Sequence, residues 1–219
     1  MLPPLRGSNV NASYHSHLGR DRWEGSVQEG FRPPQQARSR ASLEKVLAAA
    51  EYVLAHRGHE EFTIGAVAER AGLSVGAIYR RFAGKDQLLF AVKHQLLDHL
   101  ETNVGTALRG SGPGLREVVG AFTRALADTF ATHDRIFSEL LDGQRADGRE
   151  RGLQALAAIQ QAFVEAAGDS PAVRTAARTV IGACVHRAAT GRYWPDGLDW
   201  TTWAAETTEM TLAYLAVAK

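Results

Sequence analysis

The chain of 219 residues has a single cysteine, Cys184, and no apolar run of the length that a membrane-spanning helix needs. One thiol cannot form a disulfide within the chain, and a chain without a disulfide framework is typical of a reducing compartment. A bilayer-spanning helix requires a stretch of about 18 or more mostly apolar residues. The amino terminus also lacks a charged segment followed by an apolar core, which excludes a recognisable secretory signal. These absences predict a cytoplasmic protein.

Aromatic residues are scarce, at 8% of the chain, and runs of β-branched residues are few. Alanine is abundant, and the hydrophobic content of 45% is enough to build a core. A chain of this length fits one large domain or two small ones. The composition predicts an all-α fold in which helices pack on helices.

Catalytic and metal-binding motifs are also missing. The sequence contains no HExxH, no GxSxG and no Walker loop. Cys184 and His186 are two residues apart on a predicted helix, so they point to different faces and cannot form a local nucleophile–base pair. His15 and His17 have no further ligand nearby. We therefore expect no enzyme, no metal site and no cofactor.

Charge is distributed unevenly along the chain, although the net charge is only +1. Residues 1–85 contain 12 lysines and arginines against 8 acidic residues, whereas residues 86–219 contain 13 against 16. A basic front half and an acidic rear half favour an anionic partner for the front half alone.

Residues 63–82 have the pattern of two short helices around a tight turn. Thr63 and Ser74 are good helix N-caps, and Gly72 stands where a helix end requires a left-handed residue. Ile78 and Phe82, four residues apart, are expected on the inward face of the second helix. The opposite face carries small residues, then an aromatic hydroxyl and a cation, which suits a flat anionic surface. This pattern predicts a helix-turn-helix whose second helix reads DNA.

At these residues the sequence resembles the tetracycline-repressor (TetR) family of one-component regulators. The resemblance runs from Gly58 through A-G-L-S at residues 71–74 and G-A-I-Y at residues 76–79 to Phe82 and Lys85, within residues 42–100. Members often have threonine at the position of Ala77 and histidine at that of Arg81. The expected DNA-binding residues share the caps, the outer face of the second helix and the basic residues after it; they are Thr63, Ser74, Val75, Gly76, Ala77, Tyr79, Arg80, Arg81 and Lys85.

Basic residues flank the predicted motif on both sides. Lys85 lies in the first turn of the next predicted helix, where a cation opposes the helix dipole, so we expect it to bind a DNA phosphate together with backbone N–H groups. Arg38 and Arg40 precede the first predicted helix, Ser42–His56. They either follow the DNA as a flexible basic arm or belong to a solvated tail. Gly58 is expected to break this first helix, and its apolar stripe is expected to cover the helix-turn-helix; the stripe residues are Leu43, Val46, Leu47, Ala50 and Leu54.

The predicted domains are a disordered arm (1–38), a DNA-binding domain (39–100) and an effector-binding and dimerisation domain (101–219). Three predicted stripes matter below. Leu100 and Asn103 share the inward stripe of helix four (86–108), Leu153 and Gln160 share that of helix seven (149–167), and helix eight (171–190) is apolar around most of its circumference. A polar loop is expected at residues 142–148.

The TetR resemblance implies nine helices, a two-fold dimer formed by helices eight and nine, and a small-molecule effector held among helices four to eight. It also implies a repressor that binds an inverted-repeat operator and is released by the effector. The candidate effector residues are polar groups on apolar stripes and nearby phenylalanines; they are Asn103, Phe122, Thr129, Phe137, Gln160, Phe163 and His186. Each of them is alternatively an ordinary core residue. A helical adaptor that binds only protein is the other class considered, and salt-dependent DNA binding distinguishes the two.

Overall fold

The computed structural model describes residues 37–137, 146–190, 193 and 197–218. These residues form nine helices and no strand; the helices are α1 (Ala37–Glu61), α2 (Ile64–Ala71), α3 (Val75–Tyr79), α4 (Lys85–Arg109), α5 (Leu115–Thr132), α6 (134–137), α7 (Ala146–Ala167), α8 (Pro171–Thr190) and α9 (Trp200–Val217). The predicted all-α fold is confirmed. The expectations for residues 1–36, including the disordered arm and the histidine pair, lie outside the described residues, as do those for residues 138–145.

The first helix begins earlier than predicted. It starts at Ala37 instead of Ser42, so that the backbone of Arg38 and Arg40 lies inside α1 and not in a flexible arm. The alanines and arginines before Ser42 are themselves good helix formers, so the helix extends beyond Ser42 toward the amino terminus. The predicted break at Gly58 is confirmed, since Gly58 has φ 75° and ψ 179°, a conformation that only glycine adopts readily.

The apolar stripe of α1 covers the helix-turn-helix, as the sequence predicts. Its members are all buried in one core together with the inward residues of α2 and α3; they are Leu43, Val46, Leu47, Ala50 and Leu54. Ile78 and Phe82 have no exposed surface. Burial of side chains of this size stabilises a fold by about 1.5–3 kcal/mol each. The three helices therefore pack around shared buried side chains that are continuous with the core of the body.

The predicted caps are also confirmed. Thr63 Oγ1 accepts a hydrogen bond from the Ala66 N–H at 3.1 Å, and Ser74 Oγ accepts one from the Ala77 N–H at 3.2 Å. Gly72 ends α2 in the left-handed conformation, with φ 66° and ψ 36°. These three residues set the angle at which α3 leaves the turn.

The rest of the chain forms a helical body. The longest helix of this body, α4, packs against both α5 and α7, and α9 packs along α5. The seam between α5 and α9 contains a buried contact of 2.6 Å between the hydroxyl oxygens of Thr123 and Thr208. Helix α8 contacts α5, α7 and α9. Because α4 starts directly after the helix-turn-helix and ends within the body, it connects the two parts of the molecule.

Two predicted stripes each include a residue that is exposed. In α4 the buried residue after Leu100 is Val104, and Asn103 is exposed. A spacing of three or four residues satisfies the helical period equally well, and the apolar residue is the one that is buried. In α7 the inward residues include Arg151, Ala155 and Ile159, whereas Leu153 is 60% exposed.

The charged side chain of Arg151 determines which face of α7 is buried, because it lies against α4. Arg151 is only 6% exposed, and its guanidinium lies 2.5 Å from a carboxylate oxygen of Asp98 and 2.6 Å from one of Glu101, both on α4. One turn earlier on α4, His94 is buried; burial first, and then the charges of Arg151 and Lys93, lower its pKa to about 4. Helix α7 also starts at Ala146, so residues 146–148 belong to a helix and not to the predicted loop.

Substitution of Arg151 by alanine is expected to destabilise the protein, because it removes the guanidinium that pairs with the largely buried carboxylate of Glu101. Loss of one member of a buried ion pair costs about 3 kcal/mol at the lower end of the usual range. The lower end applies because Asp98 remains 38% exposed and is screened by water. Urea denaturation of the wild type and of Arg151→Ala measures the difference.

Arg174→Ala is the matched control. Arg174 also pairs with a carboxylate, that of Asp169, but both side chains are more than half exposed. We expect no measurable change in the free energy of unfolding for this variant. If the free energy of unfolding falls equally in both variants, the buried ion pairs between α4 and α7 stabilise the protein no more than an exposed pair does.

Candidate nucleic-acid interface and effector region

The outer face of α3 is open to solvent. Val75 is 44% and Tyr79 54% exposed, and Gly76 and Arg80 are exposed beside them, while Ala77 is half-buried. A side chain added at Gly76 would meet no atom of the described residues within 4 Å. Nothing in the described part of the chain covers this face, which carries an aromatic hydroxyl and a guanidinium at its carboxyl-terminal end. Groups of this kind donate hydrogen bonds to phosphates and to base edges.

Thr63 and Ser74 act first as helix caps in this site. The oxygen of each hydroxyl accepts a backbone N–H, and the hydroxyl hydrogen remains able to donate to a second acceptor. Thr63 and Ser74 are both exposed. They can thus hold the reader helix and face a phosphate at the same time.

Arg81 occupies a different position from the exposed Arg80. It is partly buried, and its Nη2 donates to the Ser39 backbone carbonyl at 2.8 Å and to Ser39 Oγ at 2.7 Å. The sequence contains no signal for this contact, because its partners are 42 residues apart and one acceptor is a backbone oxygen. The end of the reader helix is thereby tied to the first turn of α1.

Lys85 also makes an internal contact that the sequence does not predict. Its Nζ donates to the His59 carbonyl at 2.7 Å and lies 5.8 Å from the centre of the Phe62 ring. Near the same helix start, Gln87 Oε1 accepts the Ala83 N–H at 2.6 Å. The ammonium uses one of its three N–H groups on His59. The carbonyl of His59 offsets the unfavourable position of a cation at the start of α4.

The candidate effector residues fall into three separate places. The rings of Phe122 and Phe163 are 4.4 Å apart, and Phe137 lies 4.3 Å from Phe130, with all of these side chains buried in the core. The three phenylalanines therefore fill space between helices. The four polar candidates line two grooves.

The first groove, of about 750 Å³, lies between α4 and α5. Asn103 and Thr129 line it and contact each other, since Asn103 Nδ2 donates to Thr129 Oγ1 at 3.2 Å. The Thr129 hydroxyl in turn donates to the Ala125 carbonyl at 2.8 Å. Charged side chains of both signs, those of Glu117, Arg124 and Asp128, make this groove polar.

The second groove, of about 630 Å³, lies between α7 and α8. It brings Gln160 and His186 together with Arg178 over a floor of apolar residues that includes Ile181 and Val185. Gln160 is half-buried and His186 exposed. This groove combines an apolar floor with a few polar groups, which is the usual composition of a small-molecule site.

Cys184 points away from this groove. It is 1% exposed, and burial raises the pKa of its thiol, whereas His186 two residues on is exposed. Within the described ranges, no group of three His, Cys, Asp or Glu residues is arranged to hold a metal ion. None of the described helices has the length and apolar character needed to cross a membrane.

Comparison with known proteins connects these features to a family. Residues 46–92 match the family described as bacterial regulatory proteins, tetR family. The activator FasR of Mycolicibacterium smegmatis is 34% identical over 116 residues, which are 53% of this chain and 50% of that protein. The chain thus matches about half the length of this curated relative.

Solved structures share the fold. The TetR family regulator PfmR of Thermus thermophilus has a TM-score of 0.61 at 20% identity, covering 77% of this chain and 97% of that one. FadR of Bacillus subtilis, solved in complex with stearoyl-CoA, has a TM-score of 0.62 at 15% identity, covering 78% and 98%. The helix-turn-helix with its open α3 face, the all-α body and these matches agree: residues 46–92 are a tetR-family region, and the described helices share the fold of TetR family regulators.

Proposed function

We propose that the protein is a one-component repressor that binds an inverted-repeat operator as a homodimer and is released from it by a small molecule. Residues 39–100 bind the DNA and residues 101–219 hold the effector and form the dimer. The protein acts in the cytoplasm, where its operator is accessible. The observation that carries the proposal is the open outer face of α3, with Tyr79 and Arg80 exposed above a buried Ile78.

The chemistry of this face suits the major groove. The absence of a side chain at Gly76 lets the helix approach closely, while the guanidinium of Arg80 can donate two hydrogen bonds to one guanine. Thr63, Ser74 and Lys85 flank the reader and retain hydrogen-bond donors for phosphates. Two-fold symmetry places two such readers in successive major grooves, roughly 34–36 Å apart.

Arg80→Ala is expected to weaken binding to the operator more than binding to a scrambled duplex. Loss of a bidentate base contact costs about 1–3 kcal/mol on the matched sequence alone. The operator is obtained by selection from a random DNA library, and affinities for both duplexes are measured by fluorescence anisotropy over a range of salt concentrations. Equal losses on the two duplexes would assign Arg80 to phosphate contact.

Two further variants complete this experiment. Lys85→Ala should weaken binding to both duplexes alike and reduce the salt dependence by about one unit, as expected for a phosphate contact. Arg109→Ala is the distant control, because Arg109 is exposed at the far end of α4, about 36 Å from Lys85 along a 25-residue helix. Absence of salt-dependent binding in the wild type would exclude the proposed function and favour a protein-binding adaptor.

The proposed dimer interface is formed by α8 and α9. The carboxyl-terminal half of α9 exposes apolar side chains, with Met210 58%, Tyr214 38% and Val217 80% exposed. A second copy of this chain is the expected cover, since a five-residue reader such as α3 needs a symmetric partner to bind DNA tightly. Aromatic residues and methionine are also favoured at the centres of protein interfaces.

Met210→Glu is expected to convert a dimer into monomers at micromolar concentration, because it places a charge in the apolar contact. Sedimentation velocity measures the change. Leu153→Glu is the matched control, since Leu153 on α7 is 60% exposed but lies outside α8 and α9. A monomeric wild type at the same concentration would rule out the dimer.

The groove between α7 and α8 is the proposed effector site. Its amide and imidazole, from Gln160 and His186, lie over apolar side chains and can orient a ligand with both polar and apolar parts. A ligand releases DNA only through its preference for the released state, and moving the equilibrium from 1:99 to 99:1 requires about 5.5 kcal/mol. Stearoyl-CoA is a rational first probe, because the Bacillus subtilis structure was solved with it.

Gln160→Leu should leave DNA affinity nearly unchanged and raise the effector concentration that releases the protein. The amide is removed while the volume is kept, and its hydrogen bond to the ligand disappears with it. Asn103→Leu is the matched control, an amide of the α4–α5 groove. The readout is release of operator DNA by stearoyl-CoA or by a ligand identified from the purified protein. If Asn103→Leu raises the required effector concentration and Gln160→Leu does not, the effector lies between α4 and α5.

A reporter gene under the operator tests the direction of regulation. Repression predicts that transcription rises when the effector is added and in cells without the protein. The relative FasR is named an activator, and a fall in transcription in cells without the protein would assign that role here as well.

A further inference from the structure

The contact between Arg81 and Ser39 closes a long loop in the DNA-binding part of the chain. Nη2 of Arg81 donates to two oxygens of Ser39, the carbonyl at 2.8 Å and the hydroxyl at 2.7 Å. Charge-assisted hydrogen bonds of this length are stronger than neutral ones, and partial burial protects them from water. Both hydrogens of this guanidinium nitrogen are directed into the protein, toward α1.

The two ends of this contact have different stabilities when taken alone. Arg81 follows the short helix α3 and lies between Arg80 and the fully buried Phe82, so its backbone is held by the core. Ser39 is the third residue of α1, and the first turn of a helix frays when its orphan N–H groups lack partners. The hydrogen bonds therefore transmit order from the reader helix to the first turn of α1.

A second contact of the same kind holds the other end of α1. Lys85 donates to the carbonyl of His59, so that the segment of residues 81–85 is tied to both ends of this helix. The first turn of α1 is consequently placed beside the carboxyl-terminal end of the reader. Arg40, the residue after Ser39, is exposed at this place, as is Arg80.

We propose that Arg81 is a positioning residue that acts through Ser39 to hold Arg40 where it contacts a DNA phosphate. The proposal rests on the DNA binding proposed above. It differs from a direct role, in which Arg81 itself binds DNA. Arg40 extends the contact surface from the reader helix to the start of α1, and Arg81 makes this extension rigid before DNA arrives.

A double-mutant cycle on the salt dependence of DNA binding distinguishes the two roles. The full-length wild type, Arg81→Met, Arg40→Ala and the double variant are each titrated onto the selected operator duplex at several salt concentrations. Removal of one phosphate contact reduces the slope of log K against log salt by about one unit. If Arg81 acts through Arg40, each single variant reduces the slope by about one unit and the double variant also by about one. A reduction of about two units in the double variant would overturn the proposal, because the two arginines would then contact DNA independently.

Two further variants distinguish the proposed role of Arg81 from a loss of folding. Ser39→Ala removes the hydroxyl acceptor and keeps the carbonyl, so it should reduce the salt slope by less than Arg81→Met does. In the Ser39→Ala background, Arg40→Ala should then reduce the slope by less than it does in the wild type. Lys85→Met removes the tie at the opposite end of α1 and should leave the full effect of Arg40→Ala in place. The proposal would also be overturned if Arg40→Ala reduced the salt slope as much in the Arg81→Met and Ser39→Ala backgrounds as in the wild type, with thermal unfolding unchanged.

The outcome is separable from that of the proposed function. If the wild type binds no duplex in a salt-dependent manner, the repressor proposal fails as a whole. If the wild type binds and Arg40→Ala has no effect on the slope, only the role of Arg81 and Arg40 is refuted.

Discussion

Burial of Ile78 and Phe82 beneath α1 is the contact on which the DNA-binding part depends. Helix α3 is five residues long, and an isolated helix of that length is unstable in water because nucleation costs more than so few hydrogen bonds return. The two side chains have no exposed surface, and the Ser74 cap and the left-handed Gly72 direct the helix onto them. The outer face can remain open because the inner face supplies the stability.

Helix α4 connects the DNA-binding part to the helical body. It begins at the residue whose ammonium holds the end of α1 and continues along α5 and α7. Arg151 of α7 holds the middle of α4 through Asp98 and Glu101. Helix α4 is thus joined both to the end of α1 and to α7 by charged side chains.

Local patterns predicted the DNA-binding part well and the body less well. The stripe of α1 and the caps at Thr63 and Ser74 are as expected, because capping and the helical period depend on residues within one or two turns. Asn103 and Leu153 were expected to face inward and are exposed. In an alanine-rich helix, neighbouring faces have similar apolar content, so the sequence pattern does not decide which face is buried. Packing against α4 decided this for α7.

The sequence by itself determined the resemblance to the TetR family, the all-α fold and the face of α3 that meets solvent, since each depends on spacing along the chain. Only the tertiary structure decided which cations are available to DNA and which are used internally. Arg80 and Arg81 are adjacent and chemically identical, yet one is exposed and the other donates to Ser39. The acceptors of Arg81 and Lys85 include backbone carbonyls, which every residue possesses, so no residue type marks them in advance. The packing of α1 against the reader brings these oxygens within reach.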